Sequence, residues 1–108
     1  MDYIGTIEQD KKIFDEKEII IYGAGKVGKH CCEVLSLKGR ADSVKGFCDG
    51  NAAIVGGILM DKNIYSVEEA VRLHPNAVYL VASMCVRQMT EKLMACGINK
   101  IHIIRESN

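Results

Sequence analysis

Six consecutive residues, Gly23-Ala24-Gly25-Lys26-Val27-Gly28, carry the clearest chemistry in this chain, because they follow the G-x-G-x-x-G spacing that lets backbone amides close on a phosphate. Each glycine has its own task in such a loop: Gly23 permits the tight turn, Gly25 lets the backbone approach a phosphate with no Cβ in the way, and Gly28 lets the following helix sit close to the preceding strand. The unpaired amides of that helix's first turn and the positive end of its dipole then favour an anion. Asp49 follows about 20 residues beyond the loop, where an acid at a strand end accepts hydrogen bonds from a ribose diol and repels a 2′-phosphate. Asp49-Gly50 is equally a turn dipeptide, so the diol-reading and turn roles both stand. Ser83, at the end of a later strand, is expected to cap the next helix and to face the same crevice as the glycine loop.

Three other patterns fail on their mechanics. Gly23 to Lys29 has the spacing G-x-x-x-x-G-K, but His30 follows in place of the hydroxyl residue that would hold magnesium. Tyr22 and Lys26 have Y-x-x-x-K spacing, yet they bracket the glycine loop instead of sharing a helix face. His30, His74 and His102 have no evident nucleophile beside them. The candidate cofactor-binding set is therefore Gly23, Ala24, Gly25, Lys26, Val27, Gly28, Asp49 and Ser83, with no catalytic residue and no metal ligand assigned.

The elements that must position these residues are legible from periodicity. Ile19 to Tyr22 is a compact apolar run stopping at glycine, as expected of a central strand buried on both faces. Val27, Cys31, Val34 and Leu35 then recur at helical spacing up to Gly39. Val44 to Cys48 reads as a second strand, followed by an irregular, glycine-interrupted stretch up to Tyr65 in which Ile58 to Met60 pairs briefly at an edge. Ser66 and Glu69 form a capping box opening a helix that ends before Pro75. Ala77 to Ala82 is another strand, Val86, Met89, Leu93 and Cys96 line a helix closing at Gly97, and Ile101 to Ile104 is a last strand. Thr6 and Gln9 at capping-box spacing predict a short leading helix over residues 6–16, within a leading segment 1–17. Strands alternating with helices imply an α/β, Rossmann-like open sheet, mainly parallel, with helices on both faces.

Length and composition bound the rest. The 108 residues make one domain, with 48 % hydrophobic residues against 26 % charged, too apolar for a disordered chain. Fourteen basic residues balance fourteen acidic ones, so the dense phosphate contacts of nucleic-acid binding are not expected. No apolar run approaches the roughly 20 residues of a membrane span, and residues 1–10 are too polar for a signal peptide, so a cytoplasmic location is expected. Cys31, Cys32, Cys48, Cys85 and Cys96 lack C-x-x-C spacing and read as reduced core residues.

The chain resembles the Rossmann-like domains at the N-terminus of bacterial sugar-nucleotide acetyltransferases and capsular polysaccharide epimerase/dehydratases, and beside some FkbM-type methyltransferases. The resemblance covers nearly the whole chain. It is carried by residues 19–25, by Val44 to Asp49 with Asn51, by Gly57-Ile58, by Tyr65-Ser66 with Glu68-Glu69-Ala70, and by Leu80-Val81-Ala82-Ser83. It implies that Gly23, Gly25, Lys26, Val27 and Asp49 lie near a nucleotide or nucleotide-sugar. The glycine loop and first helix are also similar to the nucleotide-sensing domains of potassium-uptake regulators.

The leading expectation is a nucleotide-binding domain for NAD or a nucleotide-sugar, part of or partner to a polysaccharide or sugar-nucleotide pathway enzyme. Its alternatives are an oxidoreductase or epimerase with its site completed across a homodimer, and a regulatory or interaction module with an empty loop. A small-molecule nucleotide and a separate catalytic domain or second copy are the expected partners.

Overall fold

The computed structural model describes residues 16–104. The leading helix expected over 6–16 therefore lies almost wholly outside the described residues; Glu16 and Lys17, at its end, are not helical.

In chain order the elements are β1 (Ile19–Tyr22), α1 (Lys26–Leu37), a 3-10 turn (Ala41–Ser43), β2 (Val44–Cys48), β3 (Ile58–Leu59), β4 (Lys62–Tyr65), α2 (Val67–Leu73), β5 (Val78–Val81), α3 (Val86–Ala95) and β6 (Ile101–Ile103). They form one six-stranded sheet in the order β3-β4-β2-β1-β5-β6. Every pairing is parallel except that of β3 with β4. This is the expected Rossmann-like architecture. Starting from β1 the chain builds outward through β2 to β4, then returns to the other side of β1 to place β5. That reversal opens a crevice above the carboxyl ends of β1 and β5, where ligands of open α/β sheets sit.

The alternation of side chains along β1 explains why all four of its residues are buried. Ile19 and Ile21 pack with Cys31, Val34 and Leu35 of α1, with Phe47 and with Leu80 on one face. Ile20 and Tyr22 pack with Val67 and Ala70 of α2, Leu93 of α3, Tyr79 and Val81 on the other. The connection after β2 lies on the first face through Ile54, Leu59 and Met60. Helices thus cover both faces.

One strand escaped the sequence reading. Lys62–Tyr65, expected within an irregular stretch, is β4, paired with β2 through Phe47 opposite Ile64 and Cys48 opposite Tyr65. Its pattern is faint because Ile64 is its only buried residue. Its hairpin cue is also missing: Met60 and Asp61 adopt φ of 52° and 64° in the two-residue turn from β3, a geometry that Asn-Gly normally announces. The Ser66 half of the capping box forms, the Glu69 amide donating to the Ser66 hydroxyl at 3.1 Å, whereas the Glu69 carboxylate pairs with Arg72.

Leu80, on β5 and fully buried, is held from both sides of the strand and from α1's face of the sheet. Leu80→Ala is expected to cost about 2–5 kcal/mol. Urea unfolding should show a lower midpoint with an unchanged slope.

Candidate functional site

The glycine loop crosses the carboxyl end of β1 and opens α1. Gly23 has φ of +116°, and a Cβ there would stand 2.6 Å from the Ala82 carbonyl oxygen of the neighbouring strand end. A Cβ at Gly28 would overlap the Gly23 carbonyl oxygen and press on Ile21. These two glycines are required by the fold. Gly25 is different: a Cβ there would meet nothing within 4 Å, and its φ of −93° is open to any residue. The packing of the chain therefore gives Gly25 no steric reason to lack a side chain.

Gly25 is the N-cap of α1, contributes no side-chain cap, and no acid lies in the first turn. Gly23 donates its amide to the Cys48 carbonyl at 2.8 Å, and Ala24 donates to Asp49 Oδ2 at 2.8 Å. Among the described residues nothing accepts from the amides of Gly25, Lys26, Val27 or Gly28; the helical ladder begins with Lys29 donating to the Gly25 carbonyl. Lys26 is exposed beside them and Val27 half-buried. The result is an uncapped helix end with open donors, the arrangement that holds phosphate.

Asp49 is part of the loop's construction. Besides taking the Ala24 amide, it accepts the Asn51 amide on Oδ1 at 2.8 Å, which makes the turn after β2. A carboxylate has about four acceptor sites, so lone pairs remain for a ribose hydroxyl. Ser83 stands beside the loop, its Cβ 3.8 Å from where a Gly23 Cβ would be. The cap expected of it is not formed. Its hydroxyl accepts the Cys85 amide at 3.1 Å in a local turn, and Cys85, without a side-chain cap, is the N-cap of α3. The chain spends two further residues turning off the sheet before the helix starts.

Next to the loop, on the face carrying α2 and α3, lies a cavity of about 630 Å³, within the range of small-molecule sites. Asp49 joins the two, since it lines the cavity and its Oδ2 holds the loop. Tyr22, Ser66, Val67, Gln88 and Met89 also line it, and the Glu68–Lys92 ion pair ties α2 to α3 across it. Hydrogen bonding to Lys92 holds the Glu68 carboxyl below its usual range. None of these except Asp49 was singled out as a site residue from sequence. The available signal was Tyr22, a hydroxyl at the end of an otherwise aliphatic strand and against the first glycine. Among the cysteines, Cys31, Cys32 and Cys48 are buried, and burial pushes the Cys31 thiol up to about 12 and Cys48 well above its usual range. Cys85 departs from the expected core role, being exposed on the cavity rim.

No family model matches the chain, and no curated protein matches it. Solved structures do. A crystal structure of RSP, a Rex-family repressor, has a TM-score of 0.69 at 20 % identity, covering 94 % of this chain and 52 % of that one. RSP in complex with β-NADH gives 0.65 at 20 % identity, covering 94 % and 53 %. RSP in complex with β-NAD+ and operator DNA gives 0.62 at 17 % identity, covering 89 % and 54 %. The chain spans about half the length of these structures and shares their Rossmann-like fold. None of the three is an acetyltransferase, an epimerase or an FkbM-type protein.

The exclusion of nucleic acid from the expected partners is overturned here. A protein sharing this fold over about half its length is seen with operator DNA. The physical reason is that net charge averages over a domain, whereas phosphate contacts need only a local basic surface, on this domain or another part of the same protein. Among the described residues no helix is long and apolar enough to cross a membrane.

Two substitutions test the loop. Gly25→Val should leave the melting temperature nearly unchanged and abolish phosphate or nucleotide binding in calorimetry, whereas Gly28→Val should fail to fold stably. Asp49→Asn replaces one accepting oxygen with an NH2 donor, so one of its two amide partners is stranded; the expected loss is about 1–3 kcal/mol in denaturant unfolding.

Proposed function

We propose that this chain is the nucleotide-binding domain of a larger protein and that its ligand is a dinucleotide, NAD or NADH. The observation that carries this reading is the open row of amides from Gly25 to Gly28 at an uncapped helix end, set at the point where strand order reverses and next to a cavity large enough for a nucleoside. Phosphates lie on the amides of Gly25, Lys26, Val27 and Gly28, close to Ala24. Asp49 reaches the ribose hydroxyls with the lone pairs it does not use on the loop, and its charge disfavours a 2′-phosphate. Ser83 borders the ligand on the β5 side. The fold similarity to RSP bound to β-NADH and to β-NAD+ supports the choice of ligand.

The same similarity supports a regulatory role over a catalytic one. In this reading the domain is the dinucleotide-responsive half of a DNA-binding regulator, with operator DNA as a partner of the whole protein. A nucleotide-sugar is the competing ligand, resting on the resemblance of the glycine loop and the later Gly57-Ile58 and Tyr65-Ser66 stretches to sugar-nucleotide pathway proteins.

A thermal-shift panel of NADH, NAD+, NADP+ and UDP-N-acetylglucosamine separates these. A ligand at about a hundred times its Kd adds about 2.7 kcal/mol to the folded state. At about 4–8 °C per kcal/mol for a domain of this size, that is a rise of about 10 °C or more. NADH or NAD+ should produce it and NADP+ should not. A shift with UDP-N-acetylglucosamine alone would move the ligand to the nucleotide-sugars, and no shift with any would reject the reading.

A further inference from the structure

Tyr22 is the last residue of β1, and its ring enters the core between the sheet and the helices α2 and α3, leaving it 5 % exposed. A tyrosine this deeply buried normally gives its hydroxyl to a protein acceptor. The fold supplies a comparison in Tyr79, on the adjacent strand and facing the same side, whose hydroxyl donates to the His74 carbonyl at 3.0 Å. The Tyr22 hydroxyl has no such partner among the described residues, and the side chain lines the 630 Å³ cavity. The hydroxyl is not sealed from solvent, unlike His30 Nε2 and Thr90 Oγ1, and so opens onto the cavity, where phenylalanine would present no donor.

The cavity around it has the character of a site for a planar ring. Val67 and Met89 supply apolar surface on opposing helices, Gln88 and Ser66 supply polar groups at its edge, and the Glu68–Lys92 pair bounds it. Asp49 connects it to the glycine loop, so a nucleotide with phosphates on the loop amides directs its nucleoside toward Tyr22.

We propose that Tyr22 is a specificity-determining residue whose hydroxyl donates a hydrogen bond to an acceptor on the edge of the nucleobase, an inference that rests on the nucleotide-binding reading above. Burial, with the neighbouring Cys48, Asp49 and Glu68, pushes the phenol up to about 12, so it remains an intact O–H donor throughout the physiological range. A base presenting a ring nitrogen or carbonyl oxygen at that depth is favoured; one presenting only a C–H there shuts the hydroxyl off from water with nothing to accept from it.

The test is calorimetric titration of the full chain and of Tyr22→Phe with NAD+, UDP-N-acetylglucosamine and inorganic pyrophosphate, with melting temperatures of the unliganded proteins. The nucleotide that binds the native chain should bind Tyr22→Phe about 3- to 10-fold more weakly. Pyrophosphate should bind both alike, and the unliganded variant should melt at the native temperature or above it, because the lost hydroxyl makes no bond within the protein. Equal nucleotide affinity for the two proteins, or a lower melting temperature for the variant, overturns the role of Tyr22 while leaving nucleotide binding intact. A native chain that binds neither nucleotide overturns both.

Discussion

The bare backbone of Gly28 allows the first turn of α1 to rest against the carbonyl of Gly23, and the geometry of the whole crevice depends on that contact. With any larger residue the helix would stand away from β1, and its amides would no longer lie over the sheet edge. Gly23 extends the same constraint sideways, since its left-handed backbone runs close to the Ala82 carbonyl at the end of β5. The loop is thereby clamped between two parallel strand ends, and the Asp49 carboxylate adds a third point by holding the Ala24 amide. What remains unclamped is the run from Gly25 to Val27, where open donors collect beside solvent.

The two faces of the sheet divide the work. One carries α1 and the connection after β2, which bury the aliphatic side of β1. The other carries α2 and α3, which with Tyr22 line the cavity. Asp49 belongs to both, since its amide, just past the end of β2, donates to the Tyr65 carbonyl while its side chain secures the loop. An acid in this position couples the turn after β2, the glycine loop and the cavity wall.

The chemistry of the interior suits binding. Cys31, Cys48, Tyr22 and Tyr79 are all pushed toward their neutral forms, chiefly by burial, so no charge is stored beneath the site. The charged pair at the cavity, Glu68 and Lys92, is matched across two helices and solvated. A ligand here would meet fixed amide dipoles, one carboxylate and a phenol.

The sequence by itself determined the local elements and the glycine loop. Glycine at 23, 25 and 28 after Ile19-Ile20-Ile21-Tyr22 specifies strand, turn and helix because each glycine meets a steric need confined to a few residues. The runs at Val44 to Cys48 and Ala77 to Ala82 announce strands through hydrophobicity, and Ser66 with Glu69 announces a helix through a local hydrogen bond. Contacts between distant segments decided the rest. The strand at Lys62–Tyr65 exists because β2 offers it a ladder, and nothing within its four residues or its Met60-Asp61 turn signals it. Ser83 satisfies Cys85 instead of capping α3 because the path of the chain off the sheet moves the helix start. Asp49 is legible as an acid at a strand end, but its grip on Ala24 depends on the parallel pairing of β1 and β2. The cavity and its Tyr22 hydroxyl arise only where β1, β2, α2 and α3 converge, a juxtaposition that no window of sequence contains.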